Sequence, residues 1–220
     1  RKRLDNDKLT LLGHDKIEVE SEKSVYSCLK NLDFHTVVNL AAFHNTDQCE
    51  VEKQRAFLVN TIGAYNVAKV ARELDKKVVF VSTDYVFGLD TTRDKPYVES
   101  DAVAPLNVYG ASKAAGEMMV RIANDNHLIV RTSSLYGAVT SKKGWTIPEM
   151  IYQKARAGEP LKVVNDQIMS PTYTSDLVMK ILGYLGKDAR GTFHIVGGGQ
   201  CSWYDLACKT LQLLDIDCDI

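Results

Sequence analysis

The sequence predicts an α/β fold, a doubly wound parallel sheet with helices packed on its faces. Short apolar runs rich in β-branched residues alternate along the whole chain with longer segments of helical period. Two runs, VVNLAA within 36–42 and VVFVST within 77–83, are almost continuously apolar, as expected of parallel strands that are covered on both faces. We therefore expect right-handed strand–helix–strand crossovers.

Each apolar run is expected to form a strand, and each segment of 3.6-residue period between two runs a helix. The expected strands are 8–12, 16–19, 36–42, 77–83, 127–133, 161–164 and 192–197. The expected helices lie near 22–32, 51–74, 107–125, 146–157, 173–185 and 202–214. The helix near 107–125 follows Pro105, which stops any earlier helix, and Asn107 is its expected N-cap.

Composition narrows the function classes. The 220 residues are 45% hydrophobic and 25% charged with a net charge of −1, which is typical of a soluble globular protein. The chain has no basic run that would predict nucleic-acid binding, and no apolar run near the ~18 residues that a membrane span needs. Five cysteines without metal-ligand spacing predict free thiols in a reducing cytoplasm and no metal site.

Ligands of doubly wound sheets bind at the carboxyl ends of the strands. Three polar segments are expected there: AAFHN after the strand at 36–42, STDY after the run at 77–81, and TSSLYG after the run at 127–131. Functional side chains should therefore come from these segments.

Tyr-x-x-x-Lys pairs occur three times, as Tyr26/Lys30, Tyr65/Lys69 and Tyr109/Lys113. The spacing puts a phenol and an ammonium one helical turn apart, but it is common in a chain with ten tyrosines. We interpret Tyr26 and Tyr65 as core or surface residues, because neither follows a strand end.

Tyr109 stands in the first turn of its helix, where a cofactor could lie across Tyr109, Lys113 and Gly116. The helix is expected to turn Val108, Ala111, Ala115, Met118 and Ile122 to an apolar face, and Gly110 and Ala114 are expected to leave room for the cofactor. A free tyrosine has a pKa near 10, and a neighbouring ammonium together with a nearby nicotinamide cation is expected to lower the pKa toward working pH. Ser82 or Thr83 could hold a substrate carbonyl oxygen.

At these residues the chain resembles the extended short-chain dehydrogenase/reductases, most closely the dTDP-4-dehydrorhamnose reductases (RmlD-like). The resemblance covers roughly residues 15–215. It is carried by VSTDYVF, PYVESD and PLNVYGASKAAGE, together with VVNLAAF, VNTIGAYNVA, RTSSLYG and VVNDQIMSPTYTSDL in the same order. It implies a Rossmann-type sheet with a small C-terminal substrate-binding lobe. Residues 1–160 would form the NAD(P)-binding domain, and 161–220 would form part of the lobe, interleaved with the sheet.

The resemblance implies NAD(P)H-dependent reduction of a nucleotide-linked 4-keto-6-deoxy sugar at C4. Thr83 would orient the carbonyl, Tyr109 would donate the proton, and Lys113 would tune Tyr109 and hold the nicotinamide ribose. The implied contacts to the cofactor, NADPH or NADH, come from Ala41, Ala42, Ser82, Tyr109, Lys113 and Thr132. The implied contacts to the sugar nucleotide come from His44, Tyr85, Ser134, Asp166, Gln167, Pro171 and Thr172. A homodimer is compatible with the family.

Three positions depart from the family pattern, and all lie on the substrate side. His44 stands where a threonine is usual, Ser134 where an aromatic is usual, and Met169 where a glycine is usual. These departures bear on which sugar is bound more than on which reaction is catalysed. Asn60 of VNTIG fits the family pattern and equally fits a buried amide that holds strands together.

A G-x-x-G-x-x-G turn after a first strand is not found in the sequence. VGGGQCSW, with Gly197 and Gly199, resembles one but stands at the opposite end of the chain and is a weak candidate for a phosphate cradle. An incomplete sheet would leave backbone groups unpaired. The sequence therefore predicts a natural polypeptide with about 20–30 further N-terminal residues that contain this strand and turn.

Two other readings stay open. The first is an epimerase or dehydratase of the same family, although dehydratases place an acid where this chain has Tyr85. The second is a non-catalytic subunit resembling the regulatory subunit of methionine adenosyltransferase, which would have no need of the Thr83, Tyr109 and Lys113 set.

Overall fold

The computed structural model describes residues 9–138 and 146–220. The chain divides into two compact units, the first ending at Ile129 and the second running from Val130 to Ile220. These units are defined by compactness. The division by function, into a cofactor-binding part before residue 160 and a substrate-binding part after it, stays a prediction.

The first unit carries most of the sheet and the helix with Tyr109. Its elements are α1 (Glu22–Leu29), β1 (Thr36–Asn39), α2 (Thr46–Val51), α3 (Lys53–Phe57), a π-helix (Leu58–Gly63), α4 (Ala64–Glu73), β2 (Lys77–Thr83), a 3-10 turn (Asp84–Val86) and α5 (Val108–Ala123). The strand β3 (His127–Thr132) begins in this unit and ends in the second.

The described residues of the second unit form three helices and several short strands. Its elements after β3 are β4 (Leu135–Tyr136), α6 (Ile147–Arg156), β5 (Ile168–Met169), β6 (Thr172–Tyr173), α7 (Thr174–Leu185), β7 (Gly191–His194), β8 (Cys201–Ser202) and α8 (Trp203–Leu214). β4 pairs with β6 in parallel, and β5 pairs with β8 antiparallel.

The central sheet has the strand order β1-β2-β3-β7. β1 and β2 are parallel, with Thr36 opposite Lys77 and Asn39 opposite Phe80. Six of the seven residues of β2 are buried without alternation, because both faces of this strand are covered. The predicted α/β class and parallel sheet are thus confirmed.

The core of the first unit lies between this sheet and the helices α1, α4 and α5. Fully buried side chains include Val25, Val70, Val78, Phe80 and Val120. Such close packing fixes β2 against α5, which is the arrangement that the site requires.

Three expected strands do not form. The described part of 8–12 and the segment 16–19 are irregular. Between them the chain turns, and the carbonyl oxygen of Gly13 accepts the N–H groups of Lys16 and Ile17. Leu12 and Ile17 still pack on the core, so their apolar character reflects burial rather than pairing. The run at 161–164 is also irregular, and Leu161 is buried in a cluster with Ile151 and Leu211.

The expected helix at 51–74 is broken into α3, the π-helix and α4, with α2 ending just before it. The π-helix widens the turn around Asn60, whose side chain is fully buried and bonds to the chain after β1. Single π turns inside helices are frequently found at functional sites.

Candidate active site

Tyr109 is the second residue of α5. The helix begins where predicted, because the Asn107 side chain accepts the N–H of Gly110 at 2.7 Å. Tyr109 is partly buried, and its ring meets the ring of Tyr85 edge to face at a centroid distance of 6.0 Å. The carboxyl end of β2 and the first turn of α5 are therefore adjacent.

Thr83 ends β2 and caps the 3-10 turn that follows. Its hydroxyl oxygen accepts the N–H of Tyr85 at 3.2 Å and lies 3.1 Å from Asp84 Oδ1, to which it donates. Thr83 also forms a side-chain hydrogen bond with Tyr109. The structure thus brings together the two hydroxyl groups that the resemblance assigned to the reaction.

Burial, and after it the negative charge of Asp84, raises the pKa of Tyr109 to about 12, while the Thr83 bond acts in the opposite direction. Desolvation of the phenolate and the nearby carboxylate dominate this shift. Tyr109 is consequently protonated at neutral pH, as a proton donor must be. The predicted fall toward working pH also invoked the nicotinamide cation, and it stays a prediction.

Lys113 follows Tyr109 by one turn, and its side chain is buried to 2% exposure. Its Nζ donates to the carbonyl oxygen of Val81 at 2.7 Å and lies 4.0 Å from the centre of the Phe80 ring. The ammonium is therefore anchored on β2 within the same site. Its effect on Tyr109 and its contact with a ribose stay predictions.

The other two Tyr/Lys pairs lie on the surface or against the core, as predicted. Tyr26 is 42% exposed, and Lys30 Nζ lies 5.5 Å from the centre of its ring. Tyr65 packs against the core, and Lys69 forms an ion pair with Glu22 at 2.7 Å.

Helix α5 packs more closely than predicted. A Cβ on Gly110 would lie 2.0 Å from the carbonyl oxygen of Tyr85, and one on Gly116 would lie 2.4 Å from that of Asn60. Ala114 is buried with Val86 and Phe87. Gly110 and Gly116 therefore admit neighbouring backbone, and Ala114 packs on side chains of the core, so the expectation that these residues leave room for a cofactor was wrong.

The loop after β1 carries Ala41, Ala42 and His44. Ala41 and Ala42 are partly buried and His44 is exposed, and the N–H of Ala41 donates to Asn39 Oδ1 at 3.0 Å, where the chain leaves the strand. Small side chains at this carboxyl end fit the predicted approach of a cofactor. Their roles, and that of His44 toward the sugar, stay predictions.

Asn60 fastens this loop to α5. Its side chain accepts the N–H of Phe43 and donates to the Phe43 carbonyl oxygen, both at 2.8 Å, and it donates to Ser112 Oγ at 2.9 Å. Asn60 is therefore a buried amide, as one interpretation had it, but it joins a loop to a helix rather than holding strands together.

Ser82 is buried at 3% exposure, and its hydroxyl donates to Glu117 Oε1 at 2.6 Å. Glu117 is also buried and pairs with Arg121 at 3.3 Å. The hydroxyl of Ser82 thus ties β2 to α5, and its proposed contact with the cofactor stays a prediction.

In the second unit, Thr132 and Ser134 lie where β3 ends. Thr132 is 5% exposed, and its hydroxyl has no hydrogen-bond partner among the described residues. Ser134 has a left-handed backbone with φ 47°, and its carbonyl oxygen accepts the N–H of Thr172 at 3.2 Å. A left-handed non-glycine residue is strained, and such strain clusters at functional sites.

The remaining predicted substrate residues also lie in this unit. Thr172 is buried, and its hydroxyl donates to the Ser170 carbonyl and accepts the N–H of Gly197 at 3.1 Å. Pro171 is partly buried, while Asp166 and Gln167 are exposed in the segment before β5. The N–H of Gly197, the first glycine of the run suggested as a weak phosphate cradle, is therefore already used within the protein.

The sequence analysis missed Asp84. It stands directly after Thr83 in STDY, and its carboxylate accepts from Thr83 and raises the pKa of Tyr109. The signal that could have found it is an acidic residue at the end of a buried strand, next to a predicted catalytic hydroxyl.

No cluster of potential metal ligands occurs within 9–138 and 146–220. Over the same residues, every helix is too short or too polar to cross a membrane.

Comparison with known proteins agrees with this geometry. A model of the family described as "RmlD substrate binding domain" matches residues 1–218. The chain belongs to the RmlD substrate-binding domain family. The spore coat polysaccharide biosynthesis protein SpsK of Bacillus subtilis is 37% identical over 89% of this chain and 67% of its own length.

Two other RmlD relatives carry names that state an activity. The dTDP-4-keto-6-deoxy-D-glucose reductase of Streptomyces niveus is 36% identical over 95% of this chain and 70% of its own. The crystal structure of a dTDP-4-dehydrorhamnose reductase from Bacillus anthracis in complex with NADP superposes with a TM-score of 0.88 at 33% identity, covering 95% of this chain and 72% of that one.

Proposed function

We propose that the chain is an NADPH-dependent reductase that converts the C4 carbonyl of a nucleotide-linked 4-keto-6-deoxy sugar to an alcohol. The observation that carries the proposal is the pairing of a protonated Tyr109 with Thr83 beside the anchored ammonium of Lys113. The names of the two relatives above support the substrate class, and the NADP complex of one of them favours NADPH over NADH.

The residues present fit a nicotinamide cofactor. The buried hydroxyl of Thr132 has no protein partner among the described residues, and the small side chains of Ala41 and Ala42 stand where a strand ends. Tyr109 and Lys113 complete the proposed contacts with its nicotinamide ribose. NADPH supplies the hydride when bound.

In the proposed mechanism, Tyr109 donates its phenolic proton to the oxygen that becomes the C4 hydroxyl. The Thr83 hydroxyl holds that oxygen, which requires its proton to turn from Asp84 toward the substrate. An alkoxide is far more basic than a phenolate, so a phenol with a raised pKa still transfers its proton favourably. The charge of Lys113 then stabilises the resulting phenolate.

We further propose that His44, Tyr85 and Ser134, with Asp166, Gln167, Pro171 and Thr172, contact the sugar nucleotide. The partly buried ring of Tyr85 next to Tyr109 supports its place near the reacting sugar. Ser134 stands where an aromatic residue is usual, which favours a sugar pocket with fewer stacking contacts.

The proposal includes a homodimer in the cytoplasm. Met118 and Ile122 of α5 are 55% and 67% exposed, although they belong to the predicted apolar face, and Leu58 and Ile62 of the π-helix are also exposed. Exposed apolar stripes of this kind are commonly covered by another protein surface. The five free cysteines fit a reducing compartment. Sedimentation of the wild type and of Ile122→Glu tests the dimer, which the charged variant should weaken.

The activity is tested by NADPH oxidation with a panel of 4-keto-6-deoxy sugar nucleotides that differ in base and in sugar configuration. The proposal expects turnover with at least one of them and an alcohol at C4 of the product. Absence of turnover across the panel, with the protein folded and binding NADPH, would contradict it.

A further inference from the structure

Glu50 makes a long-range bond to the first residue of the helix that carries Tyr109. Its Oε1 accepts the N–H of Val108 at 2.8 Å, across 58 positions of sequence. The first four N–H groups of a helix have no partner within the helix. In α5 the Asn107 side chain accepts the N–H of Gly110, and the Glu50 carboxylate accepts the N–H of Val108.

The segment that carries Glu50 is itself firmly held. Asn45 caps α2 by accepting the N–H of Gln48 at 3.0 Å. Cys49, fully buried, donates to the Phe43 carbonyl oxygen at 3.4 Å, and Asn60 bonds both peptide groups of Phe43. Glu50 thus reaches α5 from a segment that has little freedom to follow the helix if the helix moves.

The charge of Glu50 suits its position. A carboxylate at a helix N-terminus interacts favourably with the helix dipole, and an ionised acceptor makes a stronger hydrogen bond than a neutral one. Asn107 binds the same turn, so loss of Glu50 should loosen the turn without unfolding the helix. Tyr109 is the residue directly after Val108, and its bond to Thr83 depends on the placement of this turn.

We propose that Glu50 is a positioning residue for Tyr109, which holds the first turn of α5 so that the phenol meets Thr83. The expected effect on kcat rests on the proposed reductase function, whereas the bond from Val108 to Glu50 does not depend on it. A residue of this kind acts through Tyr109 and touches no reacting atom.

The test uses three variants of the full chain. Glu50→Ala removes the acceptor, and Glu50→Gln keeps an acceptor oxygen without the charge. Glu52→Ala is the control: it removes an exposed carboxylate two residues away that makes no hydrogen bond or ion pair in the described structure. With NADPH and the 4-keto sugar nucleotide, Glu50→Ala should lower kcat about 5- to 20-fold with KM for NADPH within about 2-fold, as expected of lost orientation. Glu50→Gln should recover most of kcat, and Glu52→Ala should match the wild type.

The second measurement does not depend on activity. The Tyr109 phenol is titrated by ultraviolet absorbance or by NMR of ring-labelled tyrosine, with Tyr109→Phe identifying its signal. Glu50→Ala should move its pKa from about 12 toward the ordinary value of 10, because a loosened turn exposes the phenol to water.

The outcomes separate the two proposals. A shifted Tyr109 titration in a protein without reductase activity would support the positioning role and contradict the proposed function. An unchanged titration in Glu50→Ala would overturn the positioning role, and so would a kcat equal to that of the wild type in an active enzyme.

Discussion

Replacing Gly110 by alanine should push the catalytic helix away from Thr83. The added Cβ would lie 2.0 Å from the carbonyl oxygen of Tyr85, 2.9 Å from its carbonyl carbon and 3.0 Å from Cβ of Pro105. The first two are backbone atoms, which cannot turn aside as a flexible side chain can. The first turn of α5 and the 3-10 turn must therefore separate by about 1 Å, a misplacement that costs on the order of 100-fold in rate.

The effect on stability should be smaller. Overpacking costs roughly 1–3 kcal/mol, and the better helix propensity of alanine returns up to about 1 kcal/mol. The expected result for Gly110→Ala is thus a fall in kcat of about 100-fold with a loss of only about 1–2 kcal/mol in the free energy of unfolding.

Two assays check this, NADPH oxidation for kcat and urea denaturation for stability. Gly183→Ala is the matched control, since it also lies in a helix but nothing approaches its Cβ within 4 Å. It should leave kcat unchanged and raise stability by up to about 1 kcal/mol. Wild-type kcat in Gly110→Ala would refute the reasoning that this contact fixes Tyr109 against Thr83.

Four further results are expected. Tyr109→Phe should lower kcat by about 10²–10⁴ with little change in NADPH affinity, while Tyr26→Phe and Tyr65→Phe stay near wild type; equal turnover in all three would contradict the assignment. Tyr109 keeps its proton above pH 10, where an ordinary tyrosine would lose it, and loses it only as pH rises through about 12, so kcat/KM measured against pH should stay level through pH 10 and fall only as pH approaches 12. Asp84→Asn should move that fall to lower pH, and a shift to higher pH would contradict the charge effect. Ser134→Gly, which relieves a φ of 47°, should raise the free energy of unfolding by about 0.5–1 kcal/mol in urea denaturation, and a decrease would mean that the Ser134 side chain outweighs the strain.

The parts of the site that the sequence predicts are those with local signals. A continuous apolar run identifies β2, and Pro105 with Asn107 marks the start of α5, so Thr83 was expected at the carboxyl end of a strand and Tyr109 in the first turn of a helix. The strand-end rule then separates Tyr109 from Tyr26, which has the same spacing to a lysine.

The rest depends on contacts between distant residues. The helix expected at 51–74 is interrupted because Asn60 binds the peptide groups of Phe43, a bond that no periodicity reveals. The direction of the Tyr109 pKa shift depends on burial and on Asp84, both of which need the fold. The fit of Gly110 against Tyr85 likewise exists only once α5 is packed.

The central claim is hydride transfer to C4 with Tyr109 as the proton donor. The most direct measurement supplies NADPH carrying deuterium at the transferable position of nicotinamide C4, together with a nucleotide-linked 4-keto-6-deoxy sugar, and locates the label in the product by NMR and mass spectrometry. The account predicts one deuterium at C4 of the sugar for the wild type, and formation of the same labelled product about 10²–10⁴ times more slowly for Tyr109→Phe. Deuterium that stays on the cofactor, or an unlabelled C4 in a product that does form, would contradict it.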